Sequence, residues 1–233
     1  MTAFFALGLA NINAGDALNG KKILFVYGGW EGHDPKGCRD VIVPWLRSEG
    51  AEVVVSDALD SYTDKALMAS VDLIIQTWTM GSLTDAQERG LLEAIQNGAG
   101  FAGWHGGIGD SFRNNTNYQF MVGGQWVAHP GGSIDYEVKV TRRRDPVMKG
   151  ISTFRMHSEQ YYLHVDPAVK VLATTRFSGI DAPWIAGTEM PVVWKKMWGK
   201  GRVFYSSLCH DASDFQVPEA FEIMKRGICW AVR

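Results

Sequence analysis

The feature that most constrains the fold is a repeated pairing of short apolar runs with helical patterns over the first hundred residues. Residues 21–27 (KKILFVY), 52–56 (EVVVS), 71–77 (VDLIIQT) and 100–104 (GFAGW) each read as a buried strand. Between them, residues 37–48 (GCRDVIVPWLRS), 63–69 and 84–97 read as helices. The third is the clearest. Thr84 is placed to cap it, Gln87 completes a capping box, and Gly98 ends it. Leu83, Leu91, Leu92 and Ile95 would then face the sheet. Pro44 inside residues 37–48 marks a helix start or a kink. Apolar strands alternating with helices build a mostly parallel sheet covered on both faces.

The second half changes character. Residues 134–141 alternate residue types as a half-exposed strand does. Residues 169–175, 191–194 and 201–207 (GRVFYSS) read as further strands. Residues 218–231 read as a final amphipathic helix with Phe221, Met224 and Ile228 on one side. The expected architecture is an α/β three-layer sandwich with a mostly parallel central sheet and added antiparallel strands. At 233 residues one large domain is expected, over residues 21–233. Residues 1–20 read as an extension: a leader, a tag or a docked helix. Residues 2–10 (TAFFALGLA) are apolar, but no Lys or Arg precedes them and the run is too short to span a bilayer. That leaves cytoplasm and periplasm both open.

Composition narrows the partners. A net charge of -2 gives no general pull toward nucleic acid or an anionic membrane. The three cysteines, Cys38, Cys209 and Cys229, are widely spaced without a CxxC pair, which argues against a disulfide framework or a zinc knuckle. No P-loop occurs, and Gly28-Gly29-Trp30-Glu31-Gly32 is not G-x-G-x-x-G, so no nucleotide cofactor is expected. No GxSxG elbow is present. Cys209 and His210 are neighbours whose side chains point to opposite faces of a strand, so they do not form a nucleophile–base pair. Nine Trp and 26 Gly suit a small carbohydrate, because a pyranose face stacks on an indole. For any single Trp the alternative is a place in the core.

Chemistry falls to the six histidines. His33, His105 and His210 follow the first, fourth and last predicted core strands. In a parallel sheet those ends share one edge, where ligands bind. His129 lies in a glycine-rich loop and His157 in an acid-flanked segment, whereas His164 reads as structural. For a lone His beside Gly, a turn or packing role is the alternative. Imidazole moves protons near neutral pH and also binds metals. There is no HExxH, so a divalent metal (zinc, manganese or similar) would gather ligands from distant loops. His33, His105 and His129, with an acid such as Glu159 or Asp211, are the candidates.

Five segments, VYGGWEGHD, GFAGWHGGIGDSFR, GGQWVAHPGG, HSEQYY and SSLCHDASDF, together resemble the ThuA-like (trehalose utilisation) family. The resemblance runs from about Lys21 to the C-terminus. It implies a fold similar to the class I glutamine amidotransferases, a flavodoxin-like sandwich. Where those enzymes carry a nucleophilic Cys, this chain carries His105, so amidotransferase activity is not implied. The implied substrate is a disaccharide-derived, 3-keto glycoside, processed by proton abstraction leading to isomerisation, elimination or hydrolysis. The resemblance casts His105 as base or metal ligand, His33 and His129 as its partners, His210 as closing the group, and Glu159 as second acid/base. Trp104, Arg113, Gln125, Trp126, His157, Tyr161 and Asp211 would bind substrate. Two other readings stay open: a non-catalytic carbohydrate-binding or regulatory protein, and a zinc-dependent hydrolase. Aromatics on the final helix leave room for a homo-oligomer.

Overall fold

The computed structural model describes residues 14–233. The apolar run at residues 2–10 lies outside them. A short helix α1 (Ala14–Leu18) opens the described chain, with Leu18 buried and Ala14 and Ala17 packed on the core.

Three strand–helix repeats and a fourth strand follow, as the apolar runs require. They are β1 (Lys22–Gly29), α2 (Pro35–Ser48), β2 (Glu52–Ser56), α3 (Lys65–Ser70), β3 (Leu73–Thr79), α4 (Asp85–Gln96) and β4 (Gly100–Trp104). The Thr84–Gln87 capping box of α4 forms in both directions. Helix α2 continues through Pro44, so Pro44 is not a helix start. Pro44 is exposed, so the carbonyl it leaves unpaired faces water. Buried Ile42, Val43 and Leu46 hold the opposite face of that helix.

Beyond β4 come α5 (Gly106–Gly109), α6 (Thr116–Val122), β5 (Gly124–Ala128), β6 (Ser133–Val140), β7 (Phe154–Glu159), β8 (Tyr162–Val165), β9 (Lys170–Arg176), β10 (Glu189–Trp198), β11 (Gly201–Ser206) and α7 (Pro218–Ala231). The main sheet has the order β2-β1-β3-β4-β11-β10-β9-β6-β7. Its first five strands are parallel and the rest antiparallel. The parallel part is the flavodoxin-like doubly wound order, with its switch point between β1 and β3. Strands β5 and β8 pair separately.

Alternation along the parallel strands splits the core in two. Ile23, Phe25, Leu73 and Ile75 face α2 and α7, whereas Leu24, Val26 and Ile74 face α3, α4 and α6. The result is three layers, with both faces of the central parallel strands covered. No helix among the described residues is long and apolar enough to cross a membrane.

Candidate functional site

His33, His105 and His210 follow the carboxyl ends of β1, β4 and β11, and the sheet order brings those ends together. The ring centroids of His33 and His105 are 4.8 Å apart, and each lies 5.1 Å from His210. The fourth member comes from the antiparallel part: Glu159, at the end of β7. Its Oε2 lies 3.1 Å from His105 Nε2, 3.4 Å from His210 Nδ1 and 3.8 Å from His33 Nε2.

Each imidazole is aimed by a contact behind it. His105 Nδ1 is 2.8 Å from the Ser207 carbonyl. A carbonyl only accepts, so Nδ1 carries the hydrogen and donates it. His33 Nδ1 is hydrogen-bonded to Thr79 Oγ1 at the end of β3 (2.8 Å). Asp214 Oδ2 accepts from the His210 backbone N–H (2.7 Å) and from the Ser158 hydroxyl (2.6 Å). One carboxylate oxygen therefore ties the segment bearing His210 to the residue preceding Glu159.

The WHGG segment now has a physical reading. His105 holds φ 45° and ψ -136°, an uncommon conformation for a non-glycine residue that turns its ring off the strand end. Gly106 leaves room for His33: a Cβ there would sit 2.2 Å from His33 Cε1. Trp104, one residue earlier, points the other way into the core, against Phe25 and Phe215.

A neutral imidazole and an ionised carboxylate lie side by side in the cluster. Burial pushes the His105 imidazole down to about 4, against the pull of the nearby Glu159 carboxylate on its charged form, so it is neutral near pH 7. With Nδ1 as the donor, Nε2 presents a bare lone pair to a carboxylate oxygen 3.1 Å away. Burial alone would raise the Glu159 carboxyl, but the surrounding imidazoles of His105, His210 and His33 outweigh it and keep it ionised. The Glu159 hydrogen bond lifts His210 above the ordinary histidine value, against its burial.

The four donor atoms all lie within 4.8 Å of one another. A tetrahedral ion with bonds of about 2.0–2.1 Å would separate its ligand atoms by roughly 3.3 Å. The 3.1 and 3.4 Å from Glu159 to His105 and His210, and the 3.3 Å between those two imidazoles, lie near that value, whereas the 3.8 Å from Glu159 to His33 is wider. In metal sites a ligating imidazole is braced in this way through its other ring nitrogen.

The expected trio of His33, His105 and His129 is not the set that converges. His210 joins the first two because β11 lies directly beside β4. His129, on the β5–β6 connection, reaches the other oxygen of Glu159, with Nδ1 3.6 Å from Oε1. His129 Nδ1 and the Trp126 indole N–H are buried without a hydrogen bond, so unsatisfied polar atoms gather at this cleft.

The remaining expected site residues divide. The Tyr161 ring lies tilted against His105, centroids 3.9 Å apart, with its hydroxyl 3.4 Å from His33 Nε2. Arg113 is held by both oxygens of Asp110 and lies 4.6 Å over the Trp126 ring. Gln125 donates to the Arg113 carbonyl from the same side. Asp211 is adjacent to His210 but is occupied in capping the turn at Ser213. Two residues are not brought to the cluster. Trp104 is 1% exposed and has no face left for a sugar. His157 sits on β7, exposed, and pairs with Asp135 across the strand pair (3.0 Å). Thr79, Ser207 and Asp214 brace the cluster and were missed, since no local pattern marks such a supporting partner. A groove of about 630 Å³ between α3 and α4 lies at the amino ends of β3 and β4, away from the histidines.

The chain matches one family over nearly all of its described residues. The model of the ThuA family, described as trehalose utilisation, covers residues 22–231, and the protein belongs to that family. Among solved structures it is similar to a putative ThuA-like protein from Bacteroides uniformis (16% identity, TM-score 0.74, covering 90% of this chain and 89% of that one). A second such protein, from Parabacteroides merdae, gives 16% identity and TM-score 0.73, covering 91% and 90%. A β-galactosidase from Bacillus circulans sp. alkalophilus contains the fold within 31% of its length (14% identity, TM-score 0.54, 89% of this chain). No curated protein matches. The family gives the chain a carbohydrate-related role.

Proposed function

We propose that the protein is a divalent-metal-dependent enzyme that opens 3-keto glycosides by removing a proton next to the carbonyl. The observation that carries this reading is the meeting of three imidazole nitrogens with Glu159, the His105 lone pair facing a carboxylate. His33, His105, His210 and Glu159 would hold the ion. When bound it supplies Lewis-acid polarisation of a carbonyl or of the developing oxyanion.

The chain's own groups supply the rest. His129, outside the converging four and with 37% of its side chain exposed, is placed to handle protons. It takes the proton at C2 of a 3-keto glycoside, which the C3 carbonyl acidifies. The electron pair forms the C1–C2 double bond as the C1–O bond breaks. The imidazolium returns the proton to the departing oxygen. Tyr161, whose hydroxyl burial keeps protonated, can donate a hydrogen bond beside His33. Arg113 retains an Nη1 that Asp110 does not use, free for substrate hydroxyls.

The test is incubation of metal-stripped protein with 3-keto-trehalose, with and without Zn²⁺ or Mn²⁺. Cleavage that returns with metal, and that His129→Ala slows by about 10²-fold or more, is expected. Unchanged 3-keto-trehalose under every condition would overturn the reading. Tight trehalose binding without turnover would favour a carbohydrate-binding protein.

A further inference from the structure

The cleft continues past the histidines in a row of rings. His33 meets Trp30 edge to face at 4.8 Å on one side. On the other, His105 lies tilted against Tyr161, and Tyr161 meets Trp126 at 6.2 Å. The two ends of this row differ. The Trp126 ring lies under the Arg113 guanidinium and near His129, so its surface is already occupied. Trp30 lies on the loop after β1 and is 47% exposed.

Single exposed aromatics are common and need no function. Trp30 differs in how it is held. Its backbone N–H donates to the Thr79 carbonyl (3.2 Å), and Thr79 is also the residue that aims His33. Its six-membered ring lies against the Gly32 backbone, where an added Cβ would come within 2.3 Å of Cζ2. The indole is thus fixed by the same two segments that fix a ligand imidazole, with the remaining surface open to solvent.

We propose that Trp30 is the stacking platform for the second ring of a two-ring glycoside whose first ring lies over the histidine–Glu159 cluster. This deepens the carbohydrate reading above and rests on it for the place of the first ring. The substrate class is then a disaccharide or a glycoside with a ring-shaped leaving group, rather than a monosaccharide. Trp30 is a specificity residue here; it touches no reacting atom.

The experiment compares binding of trehalose and of glucose to wild type, Trp30→Ala and Trp30→Phe by calorimetry, alongside Zn²⁺ affinity. Trp30→Ala is expected to weaken trehalose binding at least tenfold. Glucose binding and Zn²⁺ affinity should move less than threefold, and Trp30→Phe should recover most of the loss. Equal trehalose affinity in Trp30→Ala and wild type would overturn the proposal, as would equal losses for both sugars. Absence of trehalose binding in wild type would overturn it too. Zn²⁺ binding is read independently, so a failed metal centre and a failed platform give different patterns.

Discussion

At the scale of single residues, the cluster depends on what is missing at Gly106 as much as on what is present at His33. With the His33 Nδ1 and Cε1 atoms 2.3 and 2.2 Å from the space a Cβ would fill, Gly106→Ala must displace the ring. Overpacking of this kind costs about 1–3 kcal/mol, and here it also moves a donor nitrogen. Gly106→Ala is expected to lose that much stability in urea unfolding and at least tenfold in Zn²⁺ affinity. Wild-type affinity in the variant would show that His33 is not a ligand. Asp214 is a second residue whose effect is indirect. Removing the shared acceptor in Asp214→Ala frees both His210 and Ser158. Loss of such second-layer partners lowers metal affinity by about 10–100-fold. Asp214→Asn, which keeps an acceptor oxygen, should lose less. Equal metal affinity in Asp214→Ala and wild type would remove Asp214 from the site.

At the scale of elements, the strands of the parallel part were legible and three of the strands beyond it were not. β2, β4 and α7 have the bounds expected from sequence, and β1, β3 and α4 shift by at most two residues at either end. Each is apolar throughout or clearly amphipathic, and each closes a compact unit with its neighbour. β5, β7 and β8 were missed. β5 and β8 form a two-stranded pair of mixed burial, and β7 is an edge strand that alternates buried core residues with Arg155 and His157. Polar residues at such positions read as loop. Their partners are distant in sequence, so no local signal fixes them. The three strand-end histidines were legible because a parallel sheet aligns its carboxyl ends. The carboxylate that completes them comes from β7, whose pairing with β6 only the fold reveals.

The antiparallel part is itself anchored by charge. Asp145, with 1% of its side chain exposed, accepts from Lys195 (2.5 Å) on β10 and from Lys170 (2.8 Å) on β9. Burial alone would raise this carboxyl, yet the two lysines outweigh it and hold it below the ordinary value. A depressed carboxylate contributes stability that is present above its unfolded pKa and lost as pH falls through its folded one. Asp145→Asn leaves Lys195 buried and poorly paired, at a cost of about 3–5 kcal/mol near pH 7. Urea unfolding of both proteins down to about pH 3 should show the gap narrowing as pH falls. A gap independent of pH would contradict this role for Asp145.

At the scale of the whole molecule, the site is a seam. The parallel strands deliver His33, His105 and His210, and the appended strands deliver Glu159, Tyr161 and His129. Neither part holds the cluster alone, so an ion bound there couples them. A ligand that binds only the folded state at about a hundred times its Kd adds about 2.7 kcal/mol of stability. Zn²⁺ or Mn²⁺ should therefore raise the unfolding midpoint, and Glu159→Gln should abolish the rise. The most direct measurement is anomalous diffraction from crystals grown with one of these metals. One strong peak is expected at bonding distance, about 2.0–2.2 Å, from His33 Nε2, His105 Nε2, His210 Nδ1 and a Glu159 oxygen. A saturated crystal with no peak among these four, or with metal only elsewhere on the chain, would contradict the centre.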